Sequence, residues 1–296
     1  MCVIVKYGIW NVSKPTPQGV NSLCAAGYPE LAARILSARG IETAAAAHEC
    51  LDCNCELPSP YLLTEMDVAA GRVGMAMSAH EKIAVFGDYD VDGITATCLL
   101  TDFLRGMGAD CVVHIPGRLE EGYGLNEIAI RSLLEAGVRL IVTVDCGITA
   151  NKEAELCRAL GIDLVVTDHH ECKTTLPAAI AVVDPHRPDQ PDNAQHDLAG
   201  VGVAFKLAAA ISGDQTSLLD RFADLLCLGT VADVMPLTGE NRAMVARGLK
   251  ALAKPKRVGI AALNAPVRYV FSAMQEPLHY ALVLAVLGLA AGIRRG

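Results

Sequence analysis

Between residues 82 and 183, short β-branched runs alternate with helical stretches, and three of those runs end on acids. Residues 82–86, 110–115, 140–144, 163–167 and 180–183 read as strands. Residues 94–105, 126–136 and 152–160 read as the helices between them. Strands that are apolar throughout, rather than alternating, belong to a sheet buried on both faces. The expected fold is therefore α/β: a parallel sheet covered by helices on both faces, with ligands bound beyond the carboxyl ends of the strands.

The rest of the chain reads as helical. A lead-in over residues 1–80 has an apolar helical face at Leu31–Leu36, a stop at Gly40, a break at Leu57-Pro58-Ser59-Pro60 and a second helix over 67–80. Beyond Val201 the helical stretches are 201–211, 217–231 and 242–253. The domains are drawn at 1–80, the helical lead-in; 81–240, the catalytic domain; and 241–296, a helical connector with an incomplete second domain.

Four acidic clusters occupy the ends of apolar runs. They are Gly87-Asp88-Tyr89-Asp90-Val91-Asp92-Gly93, Val144-Asp145-Cys146-Gly147, Thr167-Asp168-His169-His170 and Ala232-Asp233-Val234. Carboxylate oxygens with one or two imidazoles suit Mn²⁺ or Mg²⁺. There are more such ligands than one ion takes from a protein, so the pattern points to a two-metal centre for phosphoester hydrolysis. Each cluster also has a plainer explanation. Asp92 is the natural cap for the helix starting near Ile94, and Asp145 could cap the helix after Ala150. Asp168-His169-His170 is the sharpest signal: one imidazole can ligate metal, the other can face substrate, and the acid can orient a ring. Asp233 closes an apolar helix, where the macrodipole disfavours an acid that no cation offsets.

Arg118 and Tyr123, in a Gly-rich loop, could grip a phosphate and stack on a base. His186 and Arg187, after Asp184-Pro185, are further candidate phosphate contacts, with a solvated loop the alternative. Cys50, Cys53 and Cys55 lack a second pair at zinc spacing and read as ordinary thiols.

Hydrophobic residues make up 52% of the chain and aromatics 4%, so the core must be aliphatic. Eleven scattered cysteines fit a reducing cytoplasm better than a disulfide framework. A net charge of −8 argues against broad attraction to nucleic acid, although bound cations would reverse the field locally. The apolar run 281–293 is shorter than the roughly 20 residues a membrane span needs, so no membrane association is expected.

Together these motifs resemble the DHH phosphoesterase superfamily, and within it the RecJ-like exonucleases specific for single-stranded DNA. The four acidic clusters match the superfamily's four motifs. Ile115-Pro116, Glu121-Gly122-Tyr123-Gly124-Leu125-Asn126, Leu198-Ala199-Gly200-Val201-Gly202 and Arg39-Gly40-Ile41 resemble the RecJ-like branch in particular. The resemblance implies that Asp88, Asp90, Asp145, His169 and Asp233 ligate two Mn²⁺ or Mg²⁺ ions, with Asp145 bridging. It implies that His170 contacts the scissile phosphate or helps hold the site, with Asp168 beside it in the catalytic set. It further implies 5′-to-3′ degradation of single-stranded DNA in repair and recombination, with a helicase or a single-strand-binding protein as partner. Members of that branch are longer and carry a DHHA1-type domain and an OB-like module, so the expectation is an N-terminal catalytic portion. The rival readings are a phosphoesterase for oligonucleotides, cyclic dinucleotides or pyrophosphate, and a non-catalytic scaffold.

Overall fold

A computed structural model describes residues 13–51, 56–117, 124–172, 175–191 and 197–263. The chain divides into two compact units, Met1–Cys55 and Glu56–Gly296. The smaller contains α1 (Pro17–Ala25), α2 (Glu30–Ala38) and α3 (Ala44–Leu51) around Leu23, Ala33, Leu36 and Ala47. Thr16 caps α1 by accepting from the Gly19 amide at 3.0 Å, and its own hydroxyl donates to Glu42 Oε1 at 2.6 Å. Cys50 is a half-buried free thiol, while Cys53 and Cys55 lie outside the described residues.

In the larger unit, α4 (Met66–Ser78) leads into β1 (Lys82–Gly87), α5 (Val91–Gly106), β2 (Cys111–His114) and α6 (Glu127–Glu135). Then come β3 (Val138–Val144), α7 (Asn151–Leu160), β4 (Asp163–Thr167) and β5 (Ala181–Val183). Then follow α8 (Gly200–Ser212), α9 (Gln215–Ala232) and α10 (Gly239–Ala253).

All five strands are parallel, in the order β2-β1-β3-β4-β5. Val85 pairs with Val142, and Val142 with Val165, so the three most apolar runs form the centre of the sheet. Side chains alternate faces. Ile83 and Val85 point into a core shared with α4, α5, α8 and α9, while Ala84 and Phe86 point into one shared with α6 and α7. Phe86 is fully buried, worth about 1.5–3 kcal/mol on transfer out of water. The parallel, doubly covered sheet is the one the apolar runs predict. Strand order reverses between β1 and β3, which places a ligand crevice beyond their carboxyl ends.

Strand β5 is an edge strand whose exposed backbone is closed by side chains. Glu65 Oε2 accepts from the Val182 amide at 2.7 Å, and Arg187 Nη1 donates to the Val182 carbonyl. This clamp satisfies the groups that would otherwise recruit another strand. A buried ion pair joins α8 to α10: Lys206 Nζ lies 2.6 Å from Glu240 Oε2 and also donates to the Pro58 carbonyl at 2.7 Å. No helix among the described residues is long and apolar enough to cross a membrane.

Candidate metal centre

Four acid-bearing segments meet at the carboxyl end of the sheet. Strand β1 delivers Asp88, which is buried. A side chain at Gly87 would collide with Thr97, so only glycine lets α5 approach here. Asp90 caps α5, accepting from the Gly93 amide at 3.0 Å. The cap is thus Asp90, and the expectation that Asp92 plays this part is corrected. Asp92 turns inward and accepts the first amides of a helix distant in sequence: Gly200 at 2.6 Å and Val201 at 2.9 Å. Helix α8 has no capping side chain at its own N-cap, Ala199.

Strand β3 delivers Asp145, buried and with φ of +60°, a conformation that aspartate tolerates better than most residues. Its amide donates to the Thr167 carbonyl at 3.1 Å, which holds it beside β4. Gly200 must be glycine, because a Cβ there would sit 2.5 Å from Asp145 Cβ. Strand β4 delivers Asp168, His169 and His170. Asp168 accepts from the Ile148 amide at 2.9 Å, the His169 amide at 2.8 Å and, at 2.7 Å, His170 Nδ1. The acid orients the second imidazole, as its position in the motif suggests.

Around His169 Nε2 stand three carboxylates: Asp145 Oδ1 at 3.0 Å, Asp92 Oδ2 at 3.6 Å and Asp233 Oδ2 at 3.7 Å. His169 Nε2 and Asp145 Oδ1 are buried without a hydrogen bond. Burial, then the neighbouring His170, pushes the His169 imidazole down to about 4, so it is neutral and presents a lone pair. A buried lone pair that faces carboxylates without a hydrogen bond is costly. A divalent cation removes the cost, so the donor set fits a hard metal. Ligand atoms converge in three overlapping groups, Asp92–His169–Asp233, Asp145–His169–His170 and Asp88–Asp90–Asp145, each within 4.8 Å. Asp145 belongs to the last two, and His169 to the first two. Asp92 is the ligand candidate absent from the sequence-based set; what sets it apart is its contact with the Gly200 and Val201 amides, far along the chain.

The electrostatics agree. Burial raises Asp88 to about 6 and Asp92 to about 7. Asp145 is raised well above the usual carboxylate range, by burial and then by Asp92, Asp90, Asp168 and Asp233. Burial pushes Asp168 up too, but its bond to His170 prevails and holds it below its ordinary value. The same bond lifts His170 to about 9, keeping that ring cationic at neutral pH.

The remaining candidates separate. His186 sits close enough to His169 to influence its charge, with its amide donating to Asp184 Oδ1 at 2.7 Å. Arg187 is engaged by the fold rather than held open for a phosphate. Its side chain is 4% exposed and is held by Asp189 at 2.6 Å, Glu65 at 3.0 Å and the Val182 carbonyl. Arg118 and Tyr123 lie outside the described residues.

A parallel sheet with carboxylates beyond β1 and β3 and an acid–imidazole cluster beyond β4 defines an α/β protein whose site fits divalent metal. Residues 82–230 match the DHH family, N-terminal domain, and the chain belongs to that family. It is similar to the single-stranded-DNA-specific exonuclease RecJ of Bacillus subtilis (strain 168), with 41% identity over 86% of this chain and 32% of that protein. It is also similar to the crystal structure of RecJ from Thermus thermophilus in complex with Mn²⁺, with 31% identity, a TM-score of 0.70, and 86% of this chain and 36% of that one covered. RecJ from the same organism in complex with Mg²⁺ matches with 28% identity and a TM-score of 0.59, covering 86% of this chain and 33% of that one. The chain thus spans about a third of the length of these relatives.

Proposed function

We propose that residues 81–240 form the catalytic domain of a metal-dependent phosphodiesterase, a 5′-to-3′ exonuclease on single-stranded DNA in repair and recombination. The observation that carries this is His169 Nε2 facing three carboxylates, with a second acid group sharing Asp145. Asp88, Asp90 and Asp145 would hold one divalent ion, Mn²⁺ or Mg²⁺, and Asp92, Asp145, His169 and Asp233 the other. When bound, such ions supply Lewis acidity and lower the pKa of a water.

The chain's own residues do the rest. Asp145 is locked by its amide and by Gly200, so its two oxygens keep fixed directions. Asp168 fixes the His170 ring through Nδ1, with Nε2 donating to a non-bridging oxygen of the scissile phosphate. The cationic His170 ring offsets charge that develops there. His186 lines the same end of the sheet and contributes a second polar contact to the phosphate. In the cytoplasm a helicase or a single-strand-binding protein would deliver the strand, as in the RecJ-like proteins this chain resembles.

The test uses purified chain, Mn²⁺ and single-stranded DNA labelled at either the 5′ or the 3′ end, beside a dinucleotide. Mononucleotide release from the 5′ end first supports the reading. Cleavage of the dinucleotide alone would replace it with a small-substrate phosphoesterase.

A further inference from the structure

Four described non-glycine residues have positive φ: Glu65, His80, Asp145 and Val234. Val234, at φ +60°, is the β-branched one, and for such a side chain the left-handed region is a genuine outlier. It follows Asp233 at the end of α9. The Val234 amide donates to the Val231 carbonyl at 3.1 Å, and the Met235 amide to the Thr230 carbonyl at 3.1 Å. That arrangement closes many helices, usually with glycine in the left-handed position. This chain follows the rule elsewhere: Gly161 (φ +70°) ends α7 and Gly213 (φ +74°) ends α8. At α9 it places valine, and the side chain is 70% exposed, so no burial repays the strain. Strain held without benefit to the fold points to function.

Its location says which function. Asp233 reaches to within 3.7 Å of His169 Nε2, so Val234 lies one residue from the metal centre, at the carboxyl end of the sheet. Leu237, 42% exposed, adds apolar surface to the same turn. We propose that Val234 is a specificity-determining residue that packs against the apolar face of the nucleoside carrying the scissile phosphate. With its backbone left-handed and its surface exposed, Val234 is left outside the fold next to Asp233, free to meet that nucleoside. A phosphodiester with a nucleoside is then gripped in two places, by the polar centre and by Val234, and one without it in only the first. This inference rests on the phosphodiesterase reading of the centre.

The experiment compares wild-type chain with Val234→Gly, using Mn²⁺, a short single-stranded DNA oligonucleotide and methyl 4-nitrophenyl phosphate. Glycine relieves the backbone strain, so the variant is expected to melt at a higher temperature. Its KM for the oligonucleotide should rise about fivefold or more, as lost apolar contact implies. Its kcat/KM on methyl 4-nitrophenyl phosphate should remain within about twofold, since that substrate carries no nucleoside. A lower melting temperature would show that the fold itself needs valine and would overturn the proposal. So would an unchanged KM for the oligonucleotide, or equal losses on both substrates, in a system where wild type cleaves both. Wild-type chain inert towards both phosphodiesters would overturn the phosphodiesterase reading, and the inference with it.

Discussion

His169 Nε2 lies 3.0 Å from Asp145 Oδ1, and both atoms are buried without a hydrogen bond. Two such atoms this close need a proton or a cation between them, and a divalent ion in place of the proton fits the surrounding carboxylates. The metal centre, and each consequence below, follows from that relationship.

Asp92 separates the structural account from the sequence-based one. Asp92→Ala removes a ligand candidate and the cap on α8. Activity with Mn²⁺ should fall by more than about 100-fold, the upper range for losing a group that supports a metal site. Asp220→Ala, on the exposed face of α9, should leave activity unchanged. Steady-state rates on a labelled oligonucleotide check both, and an active Asp92→Ala would remove that residue from the ligand set.

Stability without metal should fall as pH rises from about 4 to about 9. The folded chain holds protons on Asp88 (to about 6), Asp92 (to about 7) and Asp145 (higher than its usual range), whereas the unfolded chain releases them near 4. Where the folded state binds more protons, stability declines with pH. His169, pushed down to about 4, works the other way, but only up to its unfolded value near 6.5 and as one group against three. His170, raised to about 9, contributes stability that is full below about 6.5 and lost as pH climbs through 9. Melting curves in EDTA should therefore give a lower Tm at pH 8 than at pH 5. Added Mn²⁺ should raise Tm more at pH 8, because binding displaces those protons. A metal-free Tm that rises over this range contradicts the account.

Asp168→Asn weakens the bond that keeps His170 cationic. The basic limb of the pH–rate profile should move to lower pH, with kcat falling by about 100-fold, a typical acid–base contribution. An unmoved limb would show that His170 takes no part.

Lys206 and Glu240 form a buried pair, with side chains 0% and 2% exposed. Lys206→Met should destabilise the chain by about 3–5 kcal/mol, because Glu240 is left charged and unpaired. Lys206→Met combined with Glu240→Leu should regain most of that loss. Denaturant titration of the three proteins decides it; a double variant no better than the single would refute the pairing argument.

Arg187→Ala should cost about 1–3 kcal/mol through the orphaned Val182 carbonyl and the broken pairs to Glu65 and Asp189. KM for the oligonucleotide should not change. A raised KM without loss of stability would return Arg187 to the phosphate-binding set.

Local pattern made the sheet legible. Runs such as 140–144 are apolar throughout, and only a strand buried on both faces calls for that. Asp88, Asp145 and His169 were legible because each sits where such a strand ends. Asp92 was not, because its distinguishing contacts are to amides 108 and 109 residues away. The burial of Arg187 was not legible either: its position after Asp184-Pro185 suggests an exposed loop, while Glu65, which shares its charge with the neighbouring Asp189, lies 122 residues earlier. Long-range partners decide whether a polar residue serves substrate or fold, and local spacing does not carry them.

Calorimetric Mn²⁺ titration of the wild-type chain and of Asp145→Ala tests the shared metal centre most directly. The account predicts two ions per wild-type chain and loss of both high-affinity sites in the variant, since Asp145 stands in the group with Asp88 and Asp90 and also in the one with His169 and His170. Two ions bound with unchanged affinity by Asp145→Ala, or no tight Mn²⁺ binding by the wild-type chain, would contradict it.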